Sequence, residues 1–129
     1  MANTPEPTER ELQILKVLWE RGEATVREVH AALPADVPIV QNTVQAFLRL
    51  MEDKGLVAHR ADGRTFVYRA TSSGERTKKH LLSGLLSSVF DGALDELVAS
   101  AIAAKKPSKA ELARLRALLA DAERKRGAS

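Results

Sequence analysis

The chain has 129 residues, 44% of them hydrophobic and 29% charged, with 20 basic against 17 acidic side chains and a formal net charge of +3. That size fits one domain, or a small domain with an oligomerisation segment, of ordinary soluble composition. No apolar run could span a membrane, the polar start from Met1 to Thr8 is no signal peptide, and the absence of cysteine excludes disulfides, thiolate metal sites and a cysteine nucleophile, so a cytoplasmic protein without membrane insertion is expected.

Residues 1–7 are polar, with Pro5 and Pro7, and read as a loose arm. Thr8 with Glu11 three residues on is a capping box that opens a helix. Leu12, Leu15 and Trp19 fall at i, i+3 and i+7, and Ile14 and Leu18 widen that apolar stripe, which places Trp19 in the core rather than on a base. Gly22 ends the helix. Thr25 with Glu28 is a second box, opening a short helix whose apolar side is Val26, Val29 and Leu33, and Pro34 to Pro38 is a stiff connection. A third helix is expected from about Val40 to Lys54. Val44, Leu48 and Met51 form its buried stripe with Phe47 beside it, and Gly55 suits its C-terminal end. Leu56 to Arg60 and Thr65 to Arg69 then pair as a hairpin turning at Asp62-Gly63. Phe66 and Tyr68 share one face of it, Val67 and Arg69 the other.

Past Ala70 the character changes to helix alone. Thr71-Ser72-Ser73-Gly74 leads into a helix reaching about Phe90, with Leu81, Leu82, Leu85, Leu86 and Val89 apolar. Asp91-Gly92 breaks it. Leu94, Leu97, Val98, Ala101 and Ile102 mark a second amphipathic helix. After Lys105 to Pro107, Ser108 with Glu111 is a third capping box, and Leu112, Leu115, Leu118 and Leu119 line the last helix, which finishes on Arg124-Lys125-Arg126, cations suited to a helix C-terminus. Three short helices cannot bury that much leucine by themselves, so residues 72–129 are expected to form a dimerisation domain through Leu81, Leu82, Leu85, Leu86, Leu94, Leu97, Val98, Leu112, Leu115, Leu118 and Leu119. The ordinary alternative folds these helices back on residues 1–71.

The fold class is thus mainly α with a small β-wing: an N-terminal winged helix-turn-helix, residues 1–71, followed by three C-terminal helices. The residues that the third helix leaves outside its buried stripe, Gln41, Asn42, Thr43, Gln45 and Ala46, are candidates for reading base edges. Asn and Gln can bond adenine bidentately, and Thr can touch a thymine methyl. The ordinary alternative is that polar residues at a helix start are caps and solvated positions. Arg49, Lys54, Arg60 and Arg64 are candidates for the phosphate backbone, with Arg64 at the wing tip. Residues 1–70 hold nine basic and ten acidic side chains, so DNA binding there must rely on a few well-placed cations. No catalytic arrangement can be read. His30, His59 and His80 lack metal spacing, Ser72, Ser73, Ser87 and Ser88 look like caps and small helix residues, and no Gly-rich phosphate loop exists, so neither an enzyme nor a cofactor is expected. A winged helix that binds only proteins remains the competing class.

Glu11-Leu12 through Leu18-Trp19, Ala24 to Val29, Thr43-Val44 with Leu48, Met51 and Lys54-Gly55-Leu56, and then Gly63-Arg64 and Val67-Tyr68 follow one another in a specific order and spacing. By them the chain, over about residues 6–122, resembles the penicillinase-repressor family of bacterial transcriptional repressors. The resemblance implies a homodimer that binds a palindromic operator in double-stranded DNA and blocks the promoter. It also implies release by a signal on the C-terminal domain, either a cut triggered by a membrane-bound sensor protease or copper displacing zinc from a cysteine cluster. The lack of cysteine removes the second route. In the proteolytic branch an Asn-Phe pair stands in the penultimate helix where this chain has Ser100-Ala101, the candidate cleavage region. The family often carries Thr and Arg at Ala46 and Leu50, so a different operator preference is expected.

Overall fold

The structure, a computed structural model, describes residues 6–128. The elements run α1 (Glu9–Arg21), β1 (Ala24–Thr25), α2 (Val26–Ala32), α3 (Gln41–Asp53), β2 (Val57–Asp62), β3 (Thr65–Ala70), α4 (Gly74–Ser88), α5 (Leu94–Ala104) and α6 (Lys109–Gly127). The arm read at residues 1–7 lies mostly outside the described residues.

Local chemistry sets the helix starts. Thr8 accepts the Glu11 backbone N–H at 3.2 Å while the Glu11 carboxylate accepts that of Thr8 at 2.9 Å. Thr25 with Glu28 and Ser108 with Glu111 close the same reciprocal box. Each satisfies two donors that a helix start leaves without partners. At the end of α3 the chain turns through Lys54, and Gly55 takes φ +84°, a value that costs glycine nothing.

The three strands form one antiparallel sheet in the order β1-β3-β2. Strand β1 was not visible in the sequence. Only two residues long, it pairs Ala24 with Tyr68 and Thr25 with Val67, and Thr25 doubles as the cap of α2. In the hairpin, Asp62 pairs with Thr65, so the two-residue turn is Gly63-Arg64 rather than Asp62-Gly63. Gly63 has φ +64° and Arg64 stays at negative φ, the pattern of a turn with glycine first. The shift lengthens both strands and puts Arg64 in the turn itself.

One core holds this part together. Ile14, Leu18, Val29, Val44, Leu48, Met51 and Val57 are each at most 2% exposed and pack together with Leu15, Ala24 and Tyr68. A fully buried side chain of this size contributes roughly 1.5–3 kcal/mol relative to an exposed one, which is why the period of the apolar stripe dictates the position of each helix. Trp19 packs at the edge of this core, its indole N–H donating to the Ser72 carbonyl at 2.8 Å. A methyl group on Gly74 would sit 3.2 Å from its ring, so the chain can enter α4 here only by a close approach.

The chain divides into two compact units, one ending at Leu82 and one beginning at Ser83. The contact of Trp19 with Ser72 and Gly74 keeps the start of α4 with the first unit. Across α4, α5 and α6 no residue is buried. Among the described residues no helix is long and apolar enough to cross a membrane.

Candidate nucleic-acid interface

Helix α3 buries Val44, Leu48 and Met51, and the 3.6-residue period then turns Gln41, Asn42, Gln45, Ala46 and Arg49 outward, where all five are exposed. Thr43 is only half-exposed, at the margin of that face. Val40 occupies the cap position and no side chain caps the helix. The polar residues at its start therefore do not act as caps. The side chains of Gln41, Asn42, Gln45, Arg49 and Arg64 form no hydrogen bond or ion pair with any described residue.

Three elements converge on an open cleft of about 550 Å³. It is lined by Thr25, Val26 and Arg27 at the start of α2, by Gln41 and Gln45 on α3, and by Arg64, Thr65, Phe66 and Tyr68 on the wing. The hairpin thus brings Arg64, 19 to 23 positions away in the chain, to the same cleft as the two glutamines. Arg27 and Phe66 belong here too, though neither was singled out from the sequence. Arg27 follows the Thr25 cap and is exposed. Phe66 is 48% exposed because it lies toward the wing tip, while Tyr68 on the same strand face reaches the core and is 2% exposed. The wing is braced on α3 by His59. Its Nδ1 lies 2.7 Å and 2.8 Å from the two Glu52 carboxylate oxygens, and its ring stacks on Phe66 with centroids 4.1 Å apart.

Two of the four expected backbone-contact cations are already engaged. Lys54 Nζ donates to both carboxylate oxygens of Glu11, at 2.8 Å and 3.0 Å, and Glu11 is 2% exposed. Burial alone would raise the Glu11 carboxyl, but the Lys54 hydrogen bond, the Thr8 backbone N–H and the lysine charge outweigh it and hold the group below its ordinary value of 4.5. Lys54 thus pairs the buried carboxylate, which burial would otherwise penalise. Arg60 grips Glu23 through Nε at 3.2 Å and Nη2 at 2.8 Å. That hydrogen bond lowers the Glu23 carboxyl and raises the guanidinium. Arg49 and Arg64 are the two expected cations that remain without an ion pair among the described residues.

The other histidines are structural or solvated. His30 Nε2 lies 2.9 Å from the Ile39 carbonyl oxygen, and His80 is exposed on α4. Among the described residues no group of three His, Cys, Asp or Glu side chains could hold a metal ion. Ser100 and Ala101 sit inside α5, both exposed and both helical.

Two capped helices, an uncapped outward-facing third helix and a basic two-stranded wing define a winged helix-turn-helix DNA-binding regulator. The family described as penicillinase repressor matches residues 7–121, and the chain belongs to it. The penicillinase repressor of Bacillus licheniformis is 28% identical over 101 residues, covering 76% of this chain and 77% of that protein. Among solved structures, the DNA-binding domain of the repressor BlaI superposes with a TM-score of 0.50 at 28% identity, over 57% of this chain and 90% of that one. A possible transcriptional regulator for arsenical resistance gives 0.51 at 28% identity, over 70% and 84%. The chain is accordingly a DNA-binding transcriptional repressor and not an enzyme.

Proposed function

We propose that the protein acts as a homodimer on a palindromic operator, each subunit laying α3 in the major groove while the wing meets the adjacent backbone. The observation that carries this reading is the cleft shared by Gln41, Gln45 and Arg64, three unpaired side chains suited to bases and phosphates. Gln41, Asn42, Thr43, Gln45 and Ala46 read bases, Thr43 from the margin of the face. Arg49 and Arg64 hold phosphates, joined by Arg27. Arg60 contributes only where it leaves Glu23, and Lys54 keeps its ion pair with Glu11.

The dimer reading is supported by the apolar surface of the C-terminal helices. Leu82, Leu85, Leu94, Val98, Leu118 and Leu119 are 39–65% exposed in the single chain. Leu97, Val98, Leu115 and Leu118 line a largely apolar trough of about 470 Å³ within the second unit. Such a surface is unfavourable in water and favours a second copy. A signal on this region, from a sensor protease or its downstream product, would release the DNA by separating the copies. A cut at Ser100-Ala101 would require α5 to open first, since a protease binds extended chain. A footprint of the purified protein on the DNA upstream of its own gene tests the whole reading. Two protected half-sites related by a dyad are expected. A single half-site bound by a monomer would refute the dimer, and no protection would refute operator binding at that DNA.

A further inference from the structure

Helix α3 carries a large apolar residue that neither the core nor the polar cleft accounts for. Leu50 is 56% exposed, whereas Val44, Leu48 and Met51 on the same helix are fully buried. At 100° per residue, Leu50 lies on the same side as Ala46, one turn earlier, and Asn42, two turns earlier. Gln41 and Gln45 occupy the opposite flank, the one turned toward the wing. The outward face of α3 is therefore split: amide groups toward the wing, an alanine and a leucine away from it, and Asn42 and Arg49 between. Ala46 is exposed as well, so the apolar strip is continuous.

A helix in the major groove presents both flanks to base edges, and the only apolar group displayed there is the C5-methyl of thymine. We propose that Leu50, with Ala46, selects thymine in each operator half-site by packing on that methyl. The inference rests on the reading that α3 enters the major groove, and it adds what the apolar flank recognises. Leucine offers no donor to guanine O6 or N7, so the base it meets is chosen by methyl contact and by the exclusion of water. Asn42 in the same row favours adenine beside it. The half-site is then rich in A·T pairs at the positions facing this flank.

The experiment starts from a pool of duplexes with a randomised segment, enriched by the full-length protein. In the enriched duplex each thymine is replaced singly by deoxyuridine, which keeps Watson–Crick pairing and loses only the methyl. For the wild type, at least one replacement per half-site should weaken binding about fourfold, the worth of one buried methyl-sized group. Leu50→Ala should bind the thymine and uracil duplexes equally, so that the two changes together cost no more than Leu50→Ala alone. The exposed position and the high helix propensity of alanine keep that variant folded. Equal binding of every uracil duplex by the wild type, or an undiminished uracil penalty in Leu50→Ala, overturns the inference while leaving DNA recognition intact. Failure to enrich any sequence overturns the DNA reading and this inference with it.

Discussion

The two units of this chain spend their apolar residues in opposite ways. Up to Leu82, large side chains such as Ile14, Leu48 and Met51 are removed from water by α1, α2, α3 and the sheet. From Ser83 onward comparable side chains, Val98, Leu118 and Leu119 among them, remain 39–65% exposed. The first unit has a core of its own, so its stability is a property of one chain. The second leaves its apolar faces uncovered, and on the proposed dimer reading its stability is expected to depend on a second copy and hence on concentration. The same residue type, leucine on an amphipathic helix, builds a closed core in one region and stays exposed in the other.

The sharpest way to break this contrast is one leucine in each region. Leu48→Ala should cost about 3 kcal/mol by leaving a cavity in the closed core, at any protein concentration, measured by denaturant unfolding. Leu118→Glu should leave the first unit's unfolding unchanged. It should convert the species seen in sedimentation from dimer to monomer and lower operator affinity about 100-fold or more, because two linked half-site contacts become independent. A Leu118→Glu protein that still sediments as a dimer and binds with full affinity would show that the apolar trough is not the interface.

Within the first unit the buried pair of Glu11 and Lys54 offers the next largest effect. Breaking a fully buried pair costs roughly 3–5 kcal/mol, but Lys54 keeps a third of its side chain in solvent, so Glu11→Gln should cost nearer about 2 kcal/mol. Glutamine can still close the capping box, which isolates the ionic part. The sign with pH follows from the lowered carboxyl. A group held below its ordinary 4.5 when folded stabilises fully above that value and loses its contribution as pH falls through the lowered one. Thermal unfolding should therefore be flat near neutrality and decline in acid, with a smaller acid decline in Glu11→Gln. An identical decline in both would assign acid sensitivity to other groups, of which Glu23, Glu28 and Glu111 are also held low.

The reading surface answers to smaller changes. Arg64→Ala should weaken binding to every DNA sequence by about tenfold and reduce the salt slope by about two, since each subunit of the dimer loses one phosphate contact. Asn42→Ala or Gln45→Ala should relax discrimination at single positions by roughly 1–3 kcal/mol with little change in salt slope. The reverse assignment, with Arg64 altering sequence preference and Asn42 altering only the slope, would exchange the roles of helix and wing.

What the sequence disclosed follows the range of each interaction. Thr8 with Glu11, Thr25 with Glu28 and Ser108 with Glu111 are three residues apart, so all three helix starts were legible, as were the stripes of Val44, Leu48 and Met51. The outward position of Gln41, Asn42 and Gln45 followed from those stripes. The wing was legible as a hairpin, but its turn was placed one residue early, because Asp-Gly is favoured as the central pair and only the register of Asp62 with Thr65 shows otherwise. The ion partners were not legible. Lys54 and Glu11 are 43 positions apart and Arg60 and Glu23 are 37 apart, and no local rule connects them. Glu11 is legible as a cap, but its ion pair with Lys54 is not.

The Arg60–Glu23 pair gives the smallest and most discriminating test of how the first unit divides its charges between fold and function. Both side chains are well exposed, Arg60 at 57% and Glu23 at 44%, so the pair itself adds little to stability. Its effect falls on the wing, where a carboxylate occupies the guanidinium that a phosphate would otherwise use. Glu23→Gln leaves the strand register and the β1 contact in place and removes only the charge. Affinity for operator and for non-specific duplex should then rise together, severalfold at low salt, with a salt slope steeper by about two as Arg60 of each subunit joins the phosphate contacts. Arg60→Ala in the wild-type background should change affinity by less than twofold, yet abolish the gain when combined with Glu23→Gln. If Arg60→Ala alone weakens binding as much as Arg64→Ala does, the guanidinium leaves Glu23 whenever DNA arrives, and the wing carries two working cations instead of one.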